Sequence, residues 1–228
     1  MKGNRSDRYE IRPAAPDEYA ELGRLTAEAY EGLCGMPGRA EQGEYYAMLE
    51  DVGATASAPG TRILAAVTAE GELLGGVTFV GDLRHYNAGD TATATAAAAA
   101  EGCAGIRLLA VRPGARGLGV GRALTEACIE MAAESGAPRV ILHTTEAMRI
   151  AWAMYEKMGF GRSAELDFRQ GELAVYGFRL QLPSPGDNAS AQPEACGAPA
   201  SKRRCAASRR SSGPLRRGAT GSPARKEA

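Results

Sequence analysis

Ile106-Arg-Leu-Leu-Ala-Val111 followed by Arg112-Pro-Gly-Ala-Arg-Gly-Leu-Gly-Val-Gly-Arg122 is the stretch on which the fold turns. The first six residues are apolar and partly β-branched, and read as a strand. Arg122 to Ser135 reads as a helix. A glycine-rich turn between strand and helix presents several backbone N–H groups at the helix N-terminus, where the positive end of the macrodipole lies. Such a turn suits a phosphate or pyrophosphate.

Spacing separates the phosphate loops. A mononucleotide P-loop ends in Gly-Lys-Ser/Thr, but Gly121 is followed by Arg122-Ala123. A dinucleotide fingerprint needs a glycine three residues after the second and an acidic residue about 20 residues on. Counted from Gly117 and Gly119, the third place holds Arg122, and the next strand, Arg139 to His143, runs into Thr144-Thr145 with no carboxylate. What remains is an arginine with glycines three and five residues later: Arg116, Gly119, Gly121.

That pattern resembles the pyrophosphate loop of the GNAT-type N-acetyltransferase superfamily. The resemblance extends to Leu108-Leu109-Ala110-Val111-Arg112-Pro113, similar to the family's central strand and its exit. It extends also to Tyr155-Glu-Lys-Met-Gly-Phe160, similar to the close of the family's fourth helix. It is specific over about residues 105–160, and the order of elements fits from Tyr9 to Leu182. It implies an α/β (α+β) fold: one domain over residues 1–182, with a mixed central sheet of about six to seven strands flanked by about four helices.

The elements follow from local pattern. Tyr9–Pro13 is expected as a first strand ended by proline. Asp17 caps or begins a helix to about Tyr30, and a shorter helix spans Gly43–Glu50. Arg62–Thr68 and Leu73–Val80 form a hairpin across Ala69-Glu70-Gly71-Glu72. The helix after the loop turns Val120, Leu124, Ala127, Cys128 and Met131 inward, and Gly136 and Pro138 stop it. Thr144 or Thr145 caps a helix running through Met158, with Gly159 as its stop. Leu173–Leu182 is the last strand.

Residues 88–101, rich in alanine and threonine, read as a low-complexity insertion without large apolar anchors. From Pro183 periodicity is lost, and residues 183–228 read as a disordered basic tail. It holds nine Lys/Arg against three Asp/Glu, leaving 18 against 24 in the body of a chain that is neutral overall. Its arginine pairs have no interleaved aromatic residue to stack on bases, so nucleic acid is not favoured as a partner. The N-terminus lacks an apolar signal-like stretch, and no segment is apolar enough to span a bilayer. Five cysteines without paired spacing point to no metal and to a reducing, cytoplasmic setting. Cys128 reads as buried packing, and His143 as a satisfied strand-end histidine. His85 falls on a loop that borders the acceptor side.

The resemblance implies acetyl-CoA as co-substrate and a primary amine, on a small molecule or peptide, as acceptor. Backbone groups of Arg116, Gly117, Leu118, Gly119, Val120 and Gly121, with the charge of Arg122, then hold the pyrophosphate. Leu109, Ala110 and Val111 line the pantetheine arm. Tyr155 matches the family tyrosine that protonates the departing thiolate. The family's glutamate at the start of the central strand is here Gly105, which leaves Glu101, Glu165, Asp167 or water as base, with Glu101 the nearest upstream carboxylate. An asparagine that the family often places seven residues before the tyrosine is here Met148. These two departures motivate the alternative of a non-catalytic acyl-CoA-binding module. Monomer and homodimer are both compatible with the chain.

Overall fold

Aliphatic runs interrupted by glycine and proline become the strands of one sheet. The structure, a computed structural model, describes residues 8–86, 98–99 and 101–183. The basic tail apart from Pro183, and the insertion apart from Ala98, Ala99 and Glu101, lie outside those residues. In chain order the elements are β1 (Glu10–Pro13), α1 (Tyr19–Glu31), α2 (Gly43–Glu50), α3 (Val52–Ala56), β2 (Thr61–Val67), β3 (Leu73–Val80) and β4 (Ala104–Val111). Then come α4 (Val120–Glu134), β5 (Arg139–Thr144), α5 (Arg149–Lys157), β6 (Gly161–Arg162), β7 (Phe168–Gln170) and β8 (Leu173–Gln181). The sheet order is β1-β2-β3-β4-β5-β8-β6, with β7 paired to β8 off that path.

β4 and β5 are parallel neighbours, and every other pair is antiparallel. A parallel pair needs a crossover, which α4 supplies. α4 lays Val120, Leu124, Cys128 and Ala132 on one sheet face against Leu74, Val77, Ile106 and Val140. Ala127 and Met131, expected inward, are only partly buried beside the same cluster. α1 and α2 cover the opposite face through Leu22, Leu25, Tyr46 and Leu49. With helices on both faces, β3 is buried along its whole length.

Three local expectations differ from the structure. The start of α1 is set by Glu18 rather than Asp17. Its carboxylate accepts from Ala15 N at 2.7 Å and pairs with Arg12 at 2.7 Å, closing a 3-10 turn over Pro16–Glu18. Neither Thr144 nor Thr145 caps the following helix. Thr145 precedes a 3-10 turn without a side-chain cap bond, and Met148 stands at the N-cap of α5. The eight strands and five α-helices among the described residues exceed the expected numbers by short pieces such as β6, β7 and α3. A strand of two or three residues is too short to show a period.

Gly23 fixes how α1 crosses α2. A Cβ at Gly23 would stand 2.3 Å from Glu50 O and 2.9 Å from its Cα, both backbone atoms that cannot swing away. Alanine in a helix is worth about 1 kcal/mol over glycine, whereas forcing atoms into a filled site costs about 1–3 kcal/mol. Gly23→Ala should therefore be net destabilising, by up to about 2 kcal/mol, measured as a lower denaturation midpoint at unchanged slope. A raised midpoint would show that α2 moves freely relative to α1.

Candidate active site

The site begins with an irregularity in β4. Gly76 pairs with Ala110 and Thr78 with Arg107, so Val77 of β3 faces both Leu108 and Leu109 of β4. Leu108 takes up the extra residue at φ +53°, the one positive-φ non-glycine residue among the described residues. Such a conformation costs a leucine about 1–3 kcal/mol. On its other side β4 pairs with β5 through Ala104, Gly105 and Ile106 against Val140, Ile141 and Leu142. β5 continues to Thr144 along β8 instead. Past Ile106 the two parallel strands part, and the β5-facing edge of β4 from Arg107 onward is left without a strand partner.

The glycine loop lies at the end of that edge. Arg112 is built into the body, its N–H donating to Leu74 O at 2.8 Å and its guanidinium to Leu73 O and Glu21. A 3-10 turn over Pro113–Ala115 leads to Gly117 and Gly119, at φ +82° and +87°. The first bond of α4 runs from Ala123 N to Gly119 O at 3.0 Å. The N–H groups of Val120, Gly121 and Arg122 precede it and lack intrahelical partners. A Cβ at Gly121 would meet only ordinary contacts, with Val111 Cγ2 at 3.5 Å and Met154 S at 3.8 Å. No protein neighbour forces glycine there. Arg116 and Leu118 are exposed, and Arg122 is bonded to Glu126 at 2.6 Å. Thus β4, the loop and the N-terminus of α4 follow one another from Leu109 through Arg122, with Ala110, Ala115 and Val120 buried beneath.

Tyr155 faces that region from α5. It is 4% exposed, packed edge-on to Phe160 with ring centroids 5.7 Å apart, in the cluster that holds Val120 and Leu124. Its hydroxyl makes no hydrogen bond among the described residues. Burial pushes the phenol well above its ordinary value, so it stays protonated at neutral pH. Cys128, also fully buried, has its thiol pushed up to about 12 by burial.

A cavity of about 540 Å³ opens beside the parted strands, with Tyr30 and Tyr45 from the α1–α2 layer, Arg107 from β4, His143 from β5 and Phe168 from β7 in its wall. Tyr86 completes the wall. Its ring lies flat on β4 because residue 105 is glycine, where a Cβ would fall 2.4 Å from Tyr86 Cε2. The Tyr86 hydroxyl is 3.1 Å from both Ile106 O and His143 Nδ1. His143 Nε2 lies 2.8 Å from Leu166 O. A carbonyl only accepts, so Nε2 carries the proton and Nδ1 accepts from Tyr86. Burial lowers His143 to about 4, which keeps the ring neutral at physiological pH. Thr144 lines the same cavity, and its Oγ1 is buried without a hydrogen-bond partner among the described residues.

Of the residues singled out from sequence, His143 is satisfied on both nitrogens and still borders the cavity. Met148 lines it, and His85 does not. Glu101 pairs with Arg139 at the opposite end of the parallel strands. Glu165 accepts from Ser163 and pairs with Arg179, while Asp167 pairs with Arg162. None of these carboxylates lines the cavity. Sequence reasoning missed Tyr86 and Arg107 as wall residues. The available signal was the two-residue period of β4, which sets Gly105 and Arg107 on one face. Among the described residues no group of three or more His, Cys, Asp or Glu is placed to hold a metal, and no helix is long and apolar enough to cross a membrane.

A sequence model described as the acetyltransferase (GNAT) family matches residues 22–160. No curated protein matches the chain. Solved structures share the fold. An acetyltransferase of the GNAT family from Staphylococcus aureus Mu50 is 14% identical, covering 77% of this chain and 99% of its own, at TM-score 0.56. The yncA protein of Salmonella typhimurium, solved with its cofactor acetyl-CoA, is 18% identical, covering 82% and 99%, at TM-score 0.53. A ribosomal-protein-alanine N-acetyltransferase from Brucella melitensis is 18% identical, covering 76% and 99%, at TM-score 0.52.

The low value of His143 sets a stability trend with pH. The unfolded histidine takes up a proton near its ordinary value of 6.5 and the folded one only near 4. Between those values the unfolded chain binds more protons, so stability falls as pH falls. The loss should reach about 3 kcal/mol at pH 4. His143→Gln should remove this part of the decline between pH 7 and 4.5, followed as the denaturation midpoint. Identical decline in the two proteins would refute the buried neutral histidine.

Proposed function

The chain belongs to the acetyltransferase (GNAT) family, and from that premise we propose that it transfers an acetyl group from acetyl-CoA to a primary amine by direct attack in a ternary complex. The observation that carries the reading is the gap where β4 leaves β5, leading to a loop in which Arg116 N and Leu118 N are bonded internally while the N–H groups of Val120, Gly121 and Arg122 at the start of α4 are left unpartnered. The Salmonella protein solved with acetyl-CoA shares this fold, which supports acetyl-CoA as co-substrate here.

The residues fit such a ligand. Of the expected Arg116–Arg122 cradle, the N–H groups of Arg116 and Leu118 are turned to Pro113 O and Ala115 O, so those of Val120, Gly121 and Arg122 and the positive end of α4 are the ones that suit a pyrophosphate, and glycine at 117, 119 and 121 keeps side chains off it. The open edge at Leu109, Ala110 and Val111 offers a ladder to an amide-bearing arm, as a neighbouring strand would. Acetyl-CoA supplies the activated acyl group. A backbone N–H near Leu109 polarises the carbonyl as the amine attacks. The C–N bond forms as the C–S bond breaks, and Tyr155 hands its proton to the departing thiolate. Burial makes the phenol reluctant to ionise, but a thiolate leaving into the same apolar surroundings is raised in proton affinity by the same cause. Glu101 is tied to Arg139, so water in the open cavity is the simpler acceptor of the amine's proton. A cytoplasmic location belongs to the same proposal.

Met148 and Gly105 motivate one other reading, an acyl-CoA-binding module without turnover. Thermal stabilisation by CoA tests the binding and thiol release over an amine panel tests the chemistry. Stabilisation without release on any acceptor supports the module, and no stabilisation removes both readings. Tyr155→Phe should lower kcat about 100-fold with little change in KM for acetyl-CoA. Gly119→Ala, which must hold alanine at φ +87°, should instead weaken acetyl-CoA binding about tenfold. Unchanged turnover in Tyr155→Phe would remove the general-acid role.

A further inference from the structure

Arg107 is the feature of the cavity that acyl transfer to a plain amine leaves unused. Its side chain is half-buried on the cavity wall. One guanidinium nitrogen donates to Tyr86 O, and the group stacks on the Tyr86 ring at 5.3 Å from its centroid. Nine arginines among the described residues pair with a carboxylate, and the carboxylates nearest in sequence to this wall are already engaged elsewhere: Asp82 by Arg84, Glu101 by Arg139, Asp167 by Arg162. Arg107 has no carboxylate partner among the described residues. Its positive field acts on Tyr30, Tyr45, Tyr86 and His143, secondary to burial in each case.

A cation fixed in a pocket by stacking and one carbonyl keeps most of its five donors for another group. It is also a poor neighbour for an ammonium ion, since like charges at close range in a partly buried site repel. A simple polyamine would therefore meet repulsion at the point where it must react. An acceptor that brings its own anion would not. Arg107 and Leu109 are two residues apart on β4, and the bulge at Leu108 between them keeps them within the roughly 7 Å that two residues span in an extended strand. An anion held by Arg107 and an amine presented at Leu109 thus belong to one small molecule. The fork geometry of guanidinium matches a carboxylate bidentately. Tyr30, Tyr45 and Phe168 give the rest of that molecule an aromatic wall.

We propose that the acceptor is an amino-carboxylate, a free amino acid or similar small molecule, whose carboxylate is held by Arg107 while its amine is presented to the acyl group at the parting of β4 and β5. The inference rests on the acetyltransferase reading above. Glu44, exposed at the rim on α2, and Arg169, on β7, are the other charged groups in the cavity lining, and neither is set on β4 beside the proposed reaction centre.

Matched acceptors test it: phenylalanine against phenethylamine and methionine against 3-(methylthio)propylamine, with acetyl-CoA and the full chain, read as thiol release and product mass. The amino acid of each pair should have the higher kcat/KM, by about tenfold or more. Arg107→Gln should raise KM for the amino acid about tenfold, leave its kcat within a few-fold, and leave the matched amine unchanged or improved. Arg107→Lys should restore part of the loss. Better turnover of the plain amine, or an equal loss on both acceptors in Arg107→Gln, would overturn the proposal. CoA stabilisation of wild type and variants, measured alongside, separates the two levels. If CoA binds and amines are acetylated without preference for the carboxylate, the acceptor proposal fails alone. If CoA does not bind, the acetyltransferase reading fails and takes it down.

Discussion

The parting of two parallel strands governs this molecule. A sheet normally leaves no backbone group of an interior strand unpaired, because a buried amide without a partner costs more than its hydrogen bond contributes. Here an interior strand keeps such an edge. The bulge opposite Val77 bends β4 away, Leu108 sits in a backbone region that leucine avoids, and β5 continues along β8. The strain is local and the remainder of the domain supports it. α4 spans the crossover on one face, α1 and α2 cover the other, and Gly23 lets those two helices meet at backbone distance. The glycine loop, the buried phenol and the cavity are all arranged around the opening that results.

Burial then sets the chemistry of the groups around that opening. The same desolvation keeps the Tyr155 phenol protonated, the Cys128 thiol unreactive and the His143 imidazole neutral. Only Arg107 and the rim residues carry charge into the cavity, and arginine can do so because its guanidinium spreads its charge and cannot be deprotonated. The ion pairs of Glu101, Glu165 and Asp167 lie outside that wall, where they tie turns and strand ends together.

How far sequence reaches depends on whether a feature is set by neighbours along the chain. The strand, loop and helix from Ile106 to Glu134 were legible because strand period, glycine spacing and helix period are all local. The hairpin around Gly71 was legible for the same reason. The capping residues were not. Asp17, Thr144 and Thr145 are all competent caps, and the choice of Glu18 over Asp17 depends on where Arg12 stands on β1. β6 and β7 were invisible because two or three residues carry no period. His143 could be read as a satisfied histidine, but its place in the cavity wall required Tyr86 and Leu166, which come from 57 residues before it and 23 after it.

The sequence by itself determined the family, the order of elements and the strand–glycine loop–helix junction around Arg116–Gly121, since each rests on residues a few positions apart. Only the tertiary structure decided which side chains share the cavity beside the parted strands. Glycine at 105 looked like a missing carboxylate in the chain. In three dimensions it is the space that admits the Tyr86 ring, and through that ring orients His143 and holds Arg107. The physical reason is close packing. What fills the volume beside a glycine is determined by segments distant in sequence, and no local pattern encodes which one arrives.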